Sequence, residues 1–170
     1  MKSKTLFLSG FSLIELMISL AIVTIIIALT CASSSFLHDM LVHNELDKLY
    51  AIAHYLQKKA QLTNSEQTLQ FDRLGKKYSF NGHTELLPAG IEFGVLPGIK
   101  GPPSAPVSLI HSPITFSGEK IIFYPQGIMQ SGTLYLMNAQ RGCMYALSCG
   151  VAHVSFLRKY RYDKRWVLMG

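Results

Sequence analysis

The stretch Gly10-Phe11-Ser12-Leu13-Ile14-Glu15-Leu16 opens the apolar run that decides the architecture of this chain. Between Lys4 and His38 the only formal charge is Glu15. A bilayer penalises a buried carboxylate by about 2.5 kcal/mol or more. A lone acid just past a Gly-Phe junction, at the head of an apolar helix, therefore requires a partner, and the sequence offers no cation nearby.

From Leu16 to Leu37 no residue is charged. Crossing a bilayer core takes about 20 helical residues, and the run from Leu16 to Ala32 and beyond is long enough. Lys2 and Lys4 precede it without an acid, which puts the N-terminus on the cytoplasmic side and the rest outside. Three readings compete. A secretory signal peptide has an apolar centre of about 7–15 residues; this run is longer, although Ala32-Ser33-Ser34 could serve as a small-residue cleavage site. A plain signal anchor explains the span but not Glu15. The third reading comes from a family.

The spacing of Gly10, Phe11 and Glu15, with an apolar helix directly behind, resembles the class III signal of type IV prepilins and type II secretion pseudopilins. The resemblance implies that Met1–Gly10 is a short basic leader. It implies cleavage by a prepilin peptidase between Gly10 and Phe11, N-methylation of Phe11, and Glu15 as the fifth residue of the mature chain. It also implies that Glu15 is an assembly contact facing the positive amino terminus of a neighbouring subunit. An apolar medium makes a paired charge far cheaper than an isolated one. A carboxylate that stays protonated, or snorkels to the headgroups, is the alternative.

The helix should outlast the membrane run. Leu37, Leu41, Leu46, Leu49, Ile52, Ala53, Leu56 and Ala60 follow it, and from Leu46 onward they step by three or four, the period of one helix face. Thr63-Asn64-Ser65 breaks the pattern. A helix from Ser12 to Leu62 would be about 75 Å long, apolar all round at first and amphipathic after. The expected divisions are a leader at 1–10, a membrane or filament-core helix at 11–35, its amphipathic continuation at 36–64 and a β-rich head at 65–170.

Beyond Asn64 the signals are those of strands: Gln67–Leu74, Lys76–Phe80 with Asn81-Gly82 as a hairpin turn, Ile91–Leu96, Glu119–Tyr124, Thr133–Met137, Tyr145–Ser148 and Ala152–Tyr160. Residues 97–106 hold too much Pro and Gly to be anything but a loop. Val107–Phe116, interrupted by Pro113, reads as a broken or edge strand. A long helix followed only by strands means α+β with an antiparallel sheet. Ile122-Phe123-Tyr124-Pro125-Gln126-Gly127, Gly132-Thr133-Leu134-Tyr135-Leu136 and Ala146-Leu147-Ser148-Cys149-Gly150 resemble the FimT/GspH group of minor pilins and pseudopilins. In physical terms, Pro125 and Gly127 turn the chain and Gly132 opens the next strand.

The formal charge of +6 for 170 residues falls to +4 without Lys2 and Lys4. Arg158, Lys159, Arg161, Lys164 and Arg165 crowd the C-terminal end, interleaved with aromatics and with Asp163 the only acid among them. Such a mixture can grip phosphates and stack on bases, or hold anionic lipid headgroups or acidic partner subunits. Some FimT-like proteins are associated with DNA uptake through a Gly-Arg-x-Arg pattern. Here the corresponding residues are Gly150-Val151-Ala152-His153, with both arginines absent.

Cys143 and Cys149 are alone in the soluble part, which should face an oxidising compartment. Along one straight strand they would stand about 20 Å apart, so they bridge only if the chain folds back between them. Met144–Ser148 contains no turn residue, and the bridge stays an open question. Phosphate loops, His-Glu-x-x-His and Gly-x-Ser-x-Gly are missing, and the histidines are scattered. The expectation is a structural subunit rather than an enzyme, without metal or cofactor. Its partners would be other pilin or pseudopilin subunits, the prepilin peptidase and the inner membrane, with DNA as the alternative.

Overall fold

The computed structural model describes residues 12–101, 106–138, 142–150 and 156–169, with side chains throughout except at 29–38. The chain divides into two units, Met1–Leu37 and His38–Gly170. Helix α1 (Leu13–Thr63) supplies the described part of the first unit and one layer of the second.

In the first unit, the side chains from Ser12 to Ala28 are all exposed, Leu13, Ile14, Leu16, Met17, Ile22 and Ile25 included. Its hydroxyls turn inward: Ser19 Oγ donates to the Glu15 carbonyl at 2.7 Å, and Thr24 Oγ1 to the carbonyls of Leu20 and Ala21 at 3.0 and 2.8 Å. Hydroxyls satisfied by their own helix leave an outer surface with almost no unmet polar group. Among the described residues no helix is long and apolar enough to cross a membrane. The uncharged stretch with described side chains, 16–28, gives about 20 Å of helix against about 30 Å of hydrocarbon core.

In the second unit, α1 buries Val42, Leu46, Leu49, Ala53, Leu56 and Ala60 at 0% exposure. The steps of four and three keep these side chains on one stripe. Of the apolar positions that step by three or four from Leu46 onward, Ile52 is only half-buried, and Leu41, which precedes them, is exposed. The stripe runs back from Leu46 to Val42, and Leu41 lies about 100° around the helix from it. Asn64, at φ 48°, stops the helix, and the Ser65 N–H donates to the Ala60 carbonyl at 3.3 Å, closing a Schellman motif.

The strands are β1 (Gln67–Asp72), β2 (Lys77–Phe80), β3 (His83–Leu86), β4 (Glu92–Phe93), β5 (Lys120–Phe123), β6 (Gly132–Asn138), β7 (Cys143–Gly150), β8 (Phe156–Asp163) and β9 (Arg165–Met169). They form two antiparallel sheets, ordered β3-β2-β1-β5 and β4-β6-β7-β8-β9. The architecture is α+β and pilin-like. One core gathers the α1 stripe with Leu69, Phe71, Tyr78, Ile121 and Phe123 of the first sheet and Leu134, Leu136, Tyr145, Leu147 and Leu157 of the second. On the opposite face of the second sheet, Tyr135, Met144, Ala146 and Tyr160 form another cluster with Ile99.

Local chemistry explains the turns. Asn81 and Gly82 adopt φ of 50° and 79°, the left-handed pair that a two-residue hairpin needs. Gly127, at φ 83°, closes the turn after Pro125, its N–H bonding the Tyr124 carbonyl at 2.9 Å. Gly132 opens β6, where a Cβ would come within 2.5 Å of the Phe116 ring.

Four strand expectations need correction. β3 adds a strand beyond the Asn81-Gly82 turn where His83-Thr-Glu-Leu86 carries little apolar signal. Ile91–Leu96 shortens to β4. Val107–Phe116 forms no strand but makes isolated bridges, with the Pro113 carbonyl accepting from Tyr135 N–H at 2.8 Å; a proline can accept at an edge but cannot donate. The final strand, expected at Ala152–Tyr160, begins in the described chain at Phe156 and continues to Asp163. It then turns tightly through Lys164, at φ 57°, into β9. Residues 151–155 lie outside the described residues.

Candidate functional site

Gly10 and Phe11, the expected cleavage and methylation site, lie outside the described residues, as does the leader. The next residues build a helix start. Ser12 N–H donates to Glu15 Oε2 at 3.1 Å, while Ser12 Oγ accepts from Ile14 N–H at 3.3 Å. Ser12-Leu-Ile-Glu15 is thus a capping box, with Glu15 set against the positive end of the helix dipole. The absence of a nearby partner for Glu15, read from the lack of cations, is corrected: the partner is a backbone N–H. The S-x-x-E spacing was the signal that could have shown it.

The basic C-terminal residues separate into two groups, because successive side chains of a strand point to opposite faces. Lys159 and Arg161 point at α1. Lys159 Nζ meets Asp47 Oδ1 at 2.8 Å and sits 5.0 Å from the Tyr50 ring; Arg161 Nη2 meets Asp39 Oδ2 at 2.8 Å. Asp47 also pairs with His43 at 3.2 Å, and Asp39 accepts from Tyr145 Oη at 2.8 Å. Burial, and then the Asp39 carboxylate, pushes the Tyr145 hydroxyl above its ordinary range. These two cations latch β8 to the helix. The missed partners Asp39, His43 and Asp47 are spaced by four, one helix face.

Arg158, on the other face, lies over the Phe156 ring at 4.3 Å. Lys164 and Arg165 stand at the β8–β9 turn and, with Lys100, Tyr162 and Trp166, line an open cleft of about 560 Å³. Trp166 Nε1 donates to the Lys100 carbonyl at 2.8 Å, pinning the 97–101 loop to β9.

Cys143 and Cys149 are free thiols at opposite ends of β7. The bridge that the sequence leaves open does not form here, because an uninterrupted strand holds the two sulfurs apart. Burial raises both thiols, that of Cys149 to about 12. No cluster of metal-ligating side chains occurs among the described residues.

Residues 9–30 match the family model of the prokaryotic N-terminal methylation motif, the prepilin-type signal. The match supports a type IV pilin or pseudopilin, a type of subunit processed by prepilin peptidase and assembled with other pilin subunits. No curated protein and no solved structure matches the chain.

Proposed function

We propose that the chain is a minor pilin or pseudopilin of the FimT/GspH type. It is made as a precursor in the inner membrane, with its N-terminus cytoplasmic and its head periplasmic. Residues 1–10 are the leader, 11–35 the membrane and filament-core helix, 36–64 its amphipathic continuation and 65–170 the head. Cleavage between Gly10 and Phe11 and methylation of Phe11 release a subunit that assembles into a type II secretion pseudopilus or a type IV pilus.

The observation that carries this reading is the coincidence of the methylation motif at 9–30 with the first part of α1, 13–28, whose side chains are all exposed and, Glu15, Ser19 and Thr24 aside, apolar. Such a surface needs lipid or other apolar helices to cover it. Glu15 serves twice: one carboxylate oxygen holds Ser12 N–H, and the other is available to the amino terminus of a neighbouring subunit.

Intact-mass measurement of the chain expressed with a prepilin peptidase tests the processing. The expected product lacks residues 1–10 and carries a methyl group on Phe11; an uncut chain, or one cut near Ala32, overturns it. Glu15→Ala should be processed normally yet fail to enter filaments, and normal incorporation would remove Glu15 from assembly. The DNA-uptake alternative is weakened by the latch, since Lys159 and Arg161 are engaged by Asp47 and Asp39. Only Arg158, Lys164 and Arg165 of the basic run remain for phosphates.

A further inference from the structure

We propose that the cleft beside the β8–β9 turn, together with the outer edge of β9, is a docking site for an extended, acidic segment of a partner protein. This rests on the fold of the head and not on the assignment to a particular filament. Three observations converge. First, β9 closes the second sheet and pairs only with β8, so its other edge carries backbone groups without strand partners among the described residues. Val167 and Leu168 on that edge are 45% and 58% exposed. Natural edge strands are usually blunted by charge, proline or a covering loop; here the charge sits only at the turn end.

Second, that turn end is cationic. Lys100, Lys164 and Arg165 line the cleft, and none of the three forms an ion pair among the described residues. This contrasts with Lys159 and Arg161 on the same hairpin, which are neutralised by helix acids. Third, the cleft is held in shape. The Trp166 indole is fixed by its bond to the Lys100 carbonyl and by ring contacts with Tyr162 and Tyr135 at 5.3 and 5.9 Å. A preformed pocket beside an open edge is the arrangement that strand addition uses, with main-chain bonds giving affinity and the pocket giving specificity. An incoming strand with carboxylates at the turn end and apolar residues beyond would meet Lys164 and Arg165, then cover Val167 and Leu168. A nucleic acid would use the cations but not the strand edge.

The full chain in detergent is titrated with a fluorescein-labelled octapeptide of four glutamates and four valines in two blocks. Anisotropy reports binding, and emission from Trp166, the only tryptophan in the chain, reports its place. The glutamate peptide should bind and shift that emission. Its lysine counterpart, a version N-methylated on alternate amides, and the double variant Lys164→Glu/Arg165→Glu with the original peptide should each bind at least tenfold more weakly. Absence of binding, binding with Trp166 emission unchanged, or equal affinity for any of these three controls overturns the proposal. So does an oligo-dT strand that binds as tightly as the peptide or more tightly, which would assign the cleft to phosphates.

Discussion

The two halves of α1 share one hydrogen-bond pattern and almost nothing else. From Ser12 to Ala28 every side chain is exposed, although most are large and apolar; from Val42 to Ala60 a single stripe is buried completely while the other faces carry Asn44, Asp47, Lys48 and Lys58. Apolar residues alone therefore do not decide what a helix packs against. The amphipathic half finds its cover within its own chain, whereas the half that is apolar all round must find it in lipid or in other helices. The contrast also separates how substitutions should act: through stability of the head in one half, through assembly in the other.

The largest effect tests that contrast directly. Leu49→Ala deletes a side chain with no exposure from the centre of the stripe and should destabilise the head by about 2–5 kcal/mol. Leu20→Ala, at 61% exposure, should leave the unfolding midpoint of the head unchanged and act, if anywhere, on membrane insertion or incorporation into filaments. Equal shifts in chemical unfolding for the two variants would break the division.

A smaller effect is expected where α1 buries a charge. Glu45 is only 6% exposed and accepts from Tyr78 Oη at 2.7 Å, with Glu85 3.4 Å from the same hydroxyl and paired to Lys48. Tyr78→Phe removes the donor and should cost about 2 kcal/mol, since a buried acceptor loses its partner. Burial first, then Glu45, pushes the Tyr78 hydroxyl above its ordinary value of 10.0. A raised native value means that the contribution is complete below pH 10 and disappears as the pH rises toward the native value. The parent should therefore lose stability above about pH 10, and the variant should lose less over the same range. Identical alkaline slopes would remove Tyr78 from that account.

The latch between α1 and β8 comes next. Lys159→Ala and Arg161→Ala each remove one ion pair with an acid that stays partly solvated, for about 1 kcal/mol or less. Thermal unfolding should register the loss, and raised salt should shrink the difference between parent and variants. If instead the variants are as stable as the parent but lose affinity for DNA, these cations belong to a binding surface and not to the latch.

The helix was visible in sequence for two different reasons: sustained apolarity in its first half and a three-four period in its second. Both are local properties, as were the Asn81-Gly82 hairpin and the Pro125–Gly127 turn. What escaped depends on contacts that sequence spacing does not show. β3 and β9 are held by pairing on one side and carry mixed polar and apolar residues, so alternation is weak. The basic run looked like one patch because five cations lie close in the chain; strand alternation and the turn at Lys164 divide it between a helix-facing latch and a cleft. Lys100, which completes that cleft, lies far away in sequence and carried no signal. At the N-terminus the reverse holds: the capping box is written in the spacing of Ser12 and Glu15, although no cation stands near the acid.

The smallest effect lies on the flank of the buried stripe. His54 packs edge-on against Tyr50 at 4.6 Å, and burial, with Lys58 adding to it, holds its imidazole below the ordinary value of 6.5. Its sign is opposite to that of a histidine that gains a partner. Well above pH 6.5 both native and unfolded chains keep this ring neutral and its titration adds nothing to stability; as the pH falls through that value, the unfolded chain takes up a proton that the native chain resists, and stability declines. His54→Phe preserves an aromatic ring beside Tyr50 without the titration. Unfolding measured at pH 7.5 and pH 5.5 should show a smaller acid-side loss in the variant than in the parent, with the other histidines cancelling in the comparison. A greater loss in the variant would mean that His54 is protonated in the native head, and that the flank of the stripe is more open to water than the packed half of α1 implies.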